Sequence, residues 1–202
     1  MSQLISPRQP QVEPFLTVDL RSIRVTPAQF EVLCHDNPDL RLELTATGEL
    51  IVMPPTGSKT GMRNSILALR VGEWTERNGT GVCFDSSAEF TLPNGAIRSP
   101  DASWVRRDRW ESISAKDQEG FAPLCPDFVI ELRSPTDRLS DIKDKLAEYV
   151  ENGAQLGWLL DPFERRAYIY RPGHAVKVID DPETVSGDPE VPGFALYVRE
   201  LW

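Results

Sequence analysis

The segment from Pro126 to Ser134 (PDFVIELRS) constrains the fold most, because it is an almost continuous apolar run that contains a glutamate. Runs of this kind are typical of strands that are buried on both faces of a sheet. Burying the Glu131 carboxylate is costly unless it is paired, protonated or bound to a metal ion. The segment therefore predicts a compensated or functional charge inside the central sheet. Asp101, which follows Ser99-Pro100 earlier in the chain, is the first candidate partner.

The length of the chain, 202 residues, fits one well-buried domain better than two. We expect residues 1–16, which are polar and contain prolines, to form a flexible lead, and residues 17–202 to form a single domain. No apolar run is long enough for a membrane helix, and the N-terminus lacks the apolar core of a signal peptide. Three separated cysteines without CxxC spacing favour a reducing compartment, so we expect a cytoplasmic protein.

The net charge of −9 weighs against a protein that binds nucleic acid through a generally basic surface. It leaves room for an enzyme that concentrates its cations in one cleft. The chain has only two histidines, His35 and His174, which excludes a histidine-rich zinc site. Neither histidine forms a convincing hydrolase pair with Ser134, because no orienting acid or elbow turn accompanies that serine.

The order of predicted elements indicates an α/β (α+β) domain with a mixed central sheet flanked by helices and an N-terminal β-hairpin extension. Thr26 and Pro27 start a short first helix. The remaining elements are a hairpin of strands at residues 41–44 and 49–53, a helix at 58–78 stopped by Gly79, strands at 82–92, 102–105 and 128–133, a helix at 136–152, and three short strands at 156–160, 167–171 and 175–179. The stretch from residue 106 to 126 is expected to be irregular, with one short helix.

This order resembles the core of the PD-(D/E)xK nucleases, with Asp101 at the start of one strand and Glu131 inside the next. Two carboxylates on adjacent strands can hold Mg²⁺, or Mn²⁺ in its place, together with several waters, one of which becomes the nucleophile. The usual lysine two residues after the second acid is replaced here by Arg133, which can clamp a phosphate but cannot act as a base. The following helix offers Lys143 and Lys145, which point about 200° apart, and helical geometry alone does not choose between them.

From Leu42 to Pro172 the chain also resembles the Uma-type family of restriction endonucleases within the PD-(D/E)xK superfamily. The matching stretches, in order, are Leu42-Glu43-Leu44, Gly48-Glu49-Leu50, Pro54-Pro55-Thr56-Gly57, Ser99-Pro100-Asp101, Pro126 to Glu131 with Ser134-Pro135, Lys145 to Tyr149, Gly153, and Gly157 to Pro162. The resemblance implies the nuclease-like fold. It also selects Lys145, because the lysine on this helix of the family precedes a tyrosine by four residues.

These observations lead to the hypothesis of a Mg²⁺-dependent endonuclease that hydrolyses phosphodiester bonds of DNA, with Asp101 and Glu131 as metal ligands and Lys145 as the catalytic cation. The two carboxylates are then expected about 4–6 Å apart. Glu43 is a candidate third acid and Arg133 an alternative cation. Cutting both strands of a duplex favours a homodimer, formed through exposed strand edges or the apolar C-terminal segment.

Alternative explanations exist for each candidate. Glu131 and Arg133 lie on one strand face and can form a buried ion pair, Asp101 can cap a turn after Pro100, and Lys145 can be a solvated helix charge. The alternative function is a catalytically inactive module of the same fold, used for binding or assembly.

Overall fold

The computed structural model describes residues 16–202. The expected lead at residues 1–16 lies outside this range, except for Leu16. The strands are β1 (Leu16–Asp19), β2 (Arg41–Leu44), β3 (Glu49–Met53), β4 (Gly81–Asp85), β5 (Phe90–Thr91), β6 (Ile97–Arg98), β7 (Ala102–Arg106), β8 (Phe128–Leu132), β9 (Leu156–Asp161), β10 (Arg166–Tyr170), β11 (Lys177–Asp180), β12 (Thr184–Ser186) and β13 (Ala195–Tyr197). The helices are α1 (Pro27–Asp36), α2 (Ser58–Asn78), α3 (Arg107–Ser112), α4 (Ala115–Glu119) and α5 (Leu139–Glu151), and a 3-10 helix covers Val198–Glu200.

The N-terminal sheet has the strand order β1-β3-β2-β6-β5, and all of its strand pairs are antiparallel. Its β2–β3 hairpin has the predicted bounds. Successive side chains of β2 point to opposite faces. Leu42 and Leu44 pack with Phe30 of α1 in one core cluster, so Arg41 and Glu43 lie on the other face. The hairpin therefore carries a charged face toward the rest of the molecule.

The central sheet has the order β11-β10-β9-β8-β7-β4, and only the pair β8–β9 is parallel. Helix α5 is the crossover between these two strands, as a parallel connection requires. Helix α2 and the C-terminal segment cover one face, where Leu67, Ile130 and Phe194 belong to the same core cluster. Helix α5 covers the opposite face, where Leu146 and Val129 share a second cluster. The mixed sheet between helices confirms the predicted fold class.

Three predicted segments differ most from the structure. The single strand expected at residues 82–92 is divided into β4 and β5, which belong to different sheets. The division lies at a turn in which Asp85 accepts hydrogen bonds from the N–H and the hydroxyl of Ser87. Aspartate favours turns because its short side chain can accept such bonds from the backbone two residues on. The stretch at 106–126 contains two short helices, α3 and α4, instead of one. Helix α5 begins at Leu139, three residues after the predicted start.

Within residues 16–202, no helix is long and apolar enough to cross a membrane.

Candidate active site

A cleft of about 1160 Å³ separates the N-terminal sheet from the central sheet. Its walls come from the charged face of β2 and β3, the first turns of α2 and α5, and the adjoining ends of β7 and β8. Four of the residues singled out in the sequence line it: Glu43, Asp101, Glu131 and Lys145. They come from four separate elements, so only the tertiary fold brings them together.

Asp101 lies directly before β7 and is held by its neighbours on both sides. The Leu132 N–H donates to Oδ2 at 2.8 Å, and Asn64 Nδ2 of α2 donates to Oδ1 at 2.8 Å. Leu132 directly follows Glu131, so the Asp101 side chain is bonded to the main chain next to the second acid. Burial raises the pKa of Asp101 despite these hydrogen bonds. The carboxyl group is thus fixed in orientation, while its hydrogen bonds do not fully offset the cost of burying its negative charge.

Glu131 is buried in β8, on the sheet face that α5 covers, with 7% of its surface exposed. Its Oε1 lies 2.8 Å from Lys145 Nζ and accepts a hydrogen bond from the Tyr149 hydroxyl at 3.1 Å. Burial raises the pKa of Glu131 to about 8, and although Lys145 opposes the shift, the charges of Asp101 and Glu43 add to it. A cation placed beside this group would relieve a real electrostatic cost.

Lys145 reaches the acids from α5, which packs closely on β9 at Gly157. The neighbouring Leu146 is fully buried, and a Cβ at Gly157 of β9 would lie 2.7 Å from its Cδ1, so any larger residue would force Leu146 or the helix to shift. The ammonium contacts Glu43 Oε1 at 2.7 Å, Glu131 Oε1 at 2.8 Å and the Ser99 carbonyl at 3.3 Å. Burial lowers the pKa of Lys145, but the two carboxylates outweigh it and the net pKa is raised. The lysine is therefore protonated.

Lys143, the other candidate on this helix, points away from the cleft. Its ammonium lies 4.5 Å from the centre of the Tyr168 ring, in a cation–π geometry.

Glu43 is the centre of a buried ion-pair network that joins the two sheets. Its Oε1 accepts from Lys145 and from the Ser99 N–H, and its Oε2 accepts from Arg98 Nη1 at 3.0 Å. Arg98 in turn donates to Glu148 of α5 at 2.7 Å. Burial would raise the pKa of Glu43, but Lys145 and Arg98 reverse the shift and lower it. Both oxygens are occupied by protein donors, so Glu43 orients Lys145.

Arg133 lies apart from this cluster. Its Nη1 forms an ion pair with Asp161 Oδ2 at 2.7 Å, and its guanidinium lies 5.6 Å from the centre of the Phe163 ring. The alternative of a buried ion pair between Glu131 and Arg133 is therefore wrong. Arg133 follows the end of β8, where its side chain turns to the buried carboxylate of Asp161.

The sequence family Uma2, described as "Putative restriction endonuclease", matches residues 27–199. This chain belongs to the Uma2 family. A solved structure described as a putative nuclease of the DUF820 group from Anabaena variabilis has a TM-score of 0.72, with 21% sequence identity over 88% of this chain and 97% of the other. That likeness shows the shared fold. No curated protein matches the chain.

The donor set of this Uma2 protein suits a hydrated divalent cation. Within residues 16–202 no group of three or more His, Cys, Asp or Glu side chains is placed to hold a metal ion. Asp101 and Glu131 supply two carboxylates, and Mg²⁺ is commonly held by one or two carboxylates together with waters and substrate phosphates. Asn64 Oδ1, beside Asp101, is buried and has no hydrogen-bond partner among the described residues. An ordered water on a cation is the kind of donor that this oxygen lacks.

Sequence reasoning did not single out Asn64, Arg98 or Glu148, and used Tyr149 only as a family marker. Arg98 directly precedes the Ser99-Pro100-Asp101 motif, so its position offered a signal. Asn64 lies in the second turn of an amphipathic helix, where nothing in the sequence distinguishes it from a solvated polar residue.

Proposed function

We propose that this Uma2 protein is a divalent-cation-dependent endonuclease that hydrolyses phosphodiester bonds of DNA. The observation that carries the proposal is the meeting of Lys145 with Glu131 at 2.8 Å in a cleft that also contains Asp101. Acids on adjacent strands with a lysine from the following helix match the charge pattern that phosphodiester hydrolysis needs. Family membership supports the nuclease class.

Asp101 and Glu131 would hold the cation, and Mg²⁺ or Mn²⁺ suits these oxygen donors. When bound, such an ion polarises the phosphoryl oxygens and supplies an activated water. The chain orients both ligands beforehand: Asn64 and the Leu132 N–H fix Asp101, and Tyr149 fixes Glu131. The charges of Asp101 and Glu43 contribute to the raised pKa of Glu131, and a cation bound between the acids would relieve this repulsion.

Lys145 acts as a protonated hydrogen-bond donor. All three of its N–H groups have acceptors, and the contact with the Ser99 carbonyl is the longest, at 3.3 Å. We infer that this contact is exchanged for a non-bridging oxygen of the scissile phosphate. Preorganised donors aimed at developing negative charge are often the largest single contribution to catalysis. Glu43 positions the ammonium and is not assigned as a metal ligand.

A twofold homodimer would supply the two active sites that duplex cleavage requires. Phe194, Leu196 and Leu201 of the C-terminal segment are buried in the core of their own chain, which leaves strand edges as the candidate interface. Strand β11 forms one edge of the central sheet, and its Val178 is 48% exposed.

The alternative function, an inactive binding or assembly module, is favoured by two observations. The net charge is −9, and Arg133 occupies the usual lysine position but pairs with Asp161.

Plasmid cleavage tests the proposal directly. Supercoiled and linear DNA are incubated with protein in Mg²⁺, Mn²⁺ or EDTA, and the products are resolved on a gel. We expect cation-dependent cleavage that falls at least about 10²-fold in Asp101→Asn and Glu131→Gln. Asp108→Asn, at an exposed site on α3, serves as the control. Cleavage that persists in EDTA or in both site variants contradicts the assignment, and no cleavage of either DNA under any condition favours the inactive module.

A further inference from the structure

The first turn of α2 opens into the same cleft. None of its own side chains offsets the partial positive charge at this end of the helix. Its N-cap residue, Gly57, provides no side-chain hydrogen bond, and the first turn contains no acidic residue. The first helical hydrogen bond runs from the Gly61 N–H to the Gly57 carbonyl, and no acceptor within residues 16–202 takes the N–H groups of residues 58–60. Free N–H groups and the helix dipole at this end favour an anion.

Thr60 gives an independent indication of a ligand. Thr60 is only 7% exposed, yet it lines the cleft. Its hydroxyl has no hydrogen-bond partner among the described residues, whereas Ser65 and Thr75 of the same helix donate to the carbonyl four residues earlier. The hydroxyl is therefore free to donate to a ligand that enters the cleft. A phosphate oxygen in the cleft would accept from it.

Arg41 places a positive charge beside this turn. Its guanidinium donates to the Ser86 carbonyl at 2.7 Å and to the Thr56 hydroxyl at 3.4 Å, immediately before the N-cap. Both acceptors are uncharged, and Arg41 forms no ion pair within the described part of the chain. The guanidinium is therefore held in place by neutral acceptors, and its charge acts at longer range on Asp85, Glu89 and Asp101. Lys59, also in the first turn, is exposed and lines the cleft.

We propose that Arg41, Lys59, Thr60 and the free N–H groups at the start of α2 bind a backbone phosphate next to the scissile one. Thr60 and Asn64 lie on one face of α2, about 6 Å apart along the helix axis. Asn64 holds Asp101, so the subsite lies about one nucleotide step from the metal ligands. Contacts of this kind fix the register of a strand and carry no base specificity. This inference rests on the proposed function, since it names how that site holds its substrate.

The test follows the amide signals of Ser58, Lys59 and Thr60 in ¹⁵N-labelled protein. Inorganic phosphate is titrated first, and then a short DNA duplex in EDTA, where cation-dependent cleavage cannot proceed. The variants are Arg41→Gln and Thr60→Val, and the control is Arg77→Gln, an exposed arginine at the other end of α2. Melting curves verify that each variant is folded. If Arg41→Gln fails to fold, Lys59→Gln replaces it, with the exposed Lys116→Gln of α4 as control.

We expect saturable shifts of these amides with both ligands in the parent and in Arg77→Gln. Arg41→Gln should weaken binding of the duplex about ten-fold, and Thr60→Val should weaken it several-fold. Arg41→Gln should also reduce the slope of log K against log salt by about one, as the loss of a single phosphate contact requires.

The outcomes separate this inference from the nuclease assignment. If neither inorganic phosphate nor the duplex causes saturable shifts of these amides, the subsite is overturned even if the parent cleaves DNA. Shifts with inorganic phosphate but not with the duplex overturn its assignment to a nucleic-acid backbone. DNA binding by Arg41→Gln that matches Arg77→Gln in affinity and salt slope also overturns it. A parent that neither binds nor cleaves DNA overturns both proposals.

Discussion

Lys145 on α5 lies 2.7 Å from Glu43 on β2, a residue 102 positions earlier in the chain. This contact joins the N-terminal sheet to the helix that crosses the central sheet, and it fixes the ammonium between two buried carboxylates. The network around Glu43 is therefore at once a structural link between the two sheets and the support of the candidate active site. That dual role makes its members testable by stability and by activity.

Replacement of Lys145 by methionine should abolish cleavage and reduce stability. The change leaves Glu131 without its cation, and breaking a buried pair by removing one partner costs about 3 kcal/mol or more. Activity is expected to fall at least about 10²-fold. Plasmid cleavage and urea unfolding measure the two effects. The matched control is Lys143→Met, because Lys143 contacts the Tyr168 ring, and it should keep near-parental activity. Equal losses in the two variants would contradict the assignment.

Asp101→Asn should separate cation binding from folding. Burial destabilises the ionised Asp101, so the neutral variant is expected to be as stable as the metal-free parent, or more stable. A ligand stabilises only the state that binds it, by about 2.7 kcal/mol at a hundred times its Kd. The parent melting temperature should therefore rise with Mg²⁺ or Mn²⁺, while that of Asp101→Asn stays unchanged. A parent that shows no rise, or an equal rise in Asp101→Asn, would count against the metal site.

Stability should depend on pH through Glu89. Burial raises its pKa to about 8 from an ordinary 4.5, Glu43 adds to the shift, and Arg41 opposes it. The unfolded chain ionises Glu89 above pH 4.5 while the folded chain keeps the proton, so the free energy of unfolding falls as pH rises to about 8. The free energy of unfolding of Glu89→Gln should thus equal that of the parent at pH 4 and exceed it at pH 9 by on the order of 2–4 kcal/mol. Denaturant unfolding at both pH values measures these free energies, with Glu119→Gln, at an exposed site, as control. The same difference between Glu89→Gln and the parent at pH 4 and at pH 9 would refute the prediction.

Gly157→Ala should disturb the site through packing alone. The added Cβ would lie 2.7 Å from Leu146 Cδ1, and overpacking of a core typically costs about 1–3 kcal/mol. A shift of α5 also moves Lys145 away from the acids, so cleavage should fall with stability. Gly72→Ala on α2 is the control, because its Cβ would make an ordinary contact at 3.9 Å with Cys83 Sγ. Cleavage at the parental rate in Gly157→Ala would show that the position of Lys145 does not depend on this contact.

The protein is expected to be a homodimer at tens of micromolar, by light scattering. Val178→Lys on the β11 edge should shift it toward the monomer, because a charged edge strand resists pairing. A monomeric parent would restrict the activity to nicking or single-strand cleavage.

Local sequence patterns determined the elements that short-range chemistry controls. The residues of α2 were predictable from its apolar periodicity and from Gly79, whose positive φ of 69° ends the helix. The bounds of the β2–β3 hairpin followed in the same way from alternation and turn residues. Asp101 could be expected at the start of one strand and Glu131 inside the next, because the order of elements already resembled a nuclease core.

The partners of the charges were decided by tertiary structure. Helical spacing could not choose between Lys143 and Lys145; the packing of α5 on the sheet, which buries Leu146 and Tyr149, decides how the helix faces the acids. Arg133 had Glu131 as a neighbour in sequence but Asp161 as its partner in space. Propensity and periodicity depend on adjacent residues, whereas a buried charge is stabilised by whichever opposite charge the packing of distant elements brings within a few ångströms.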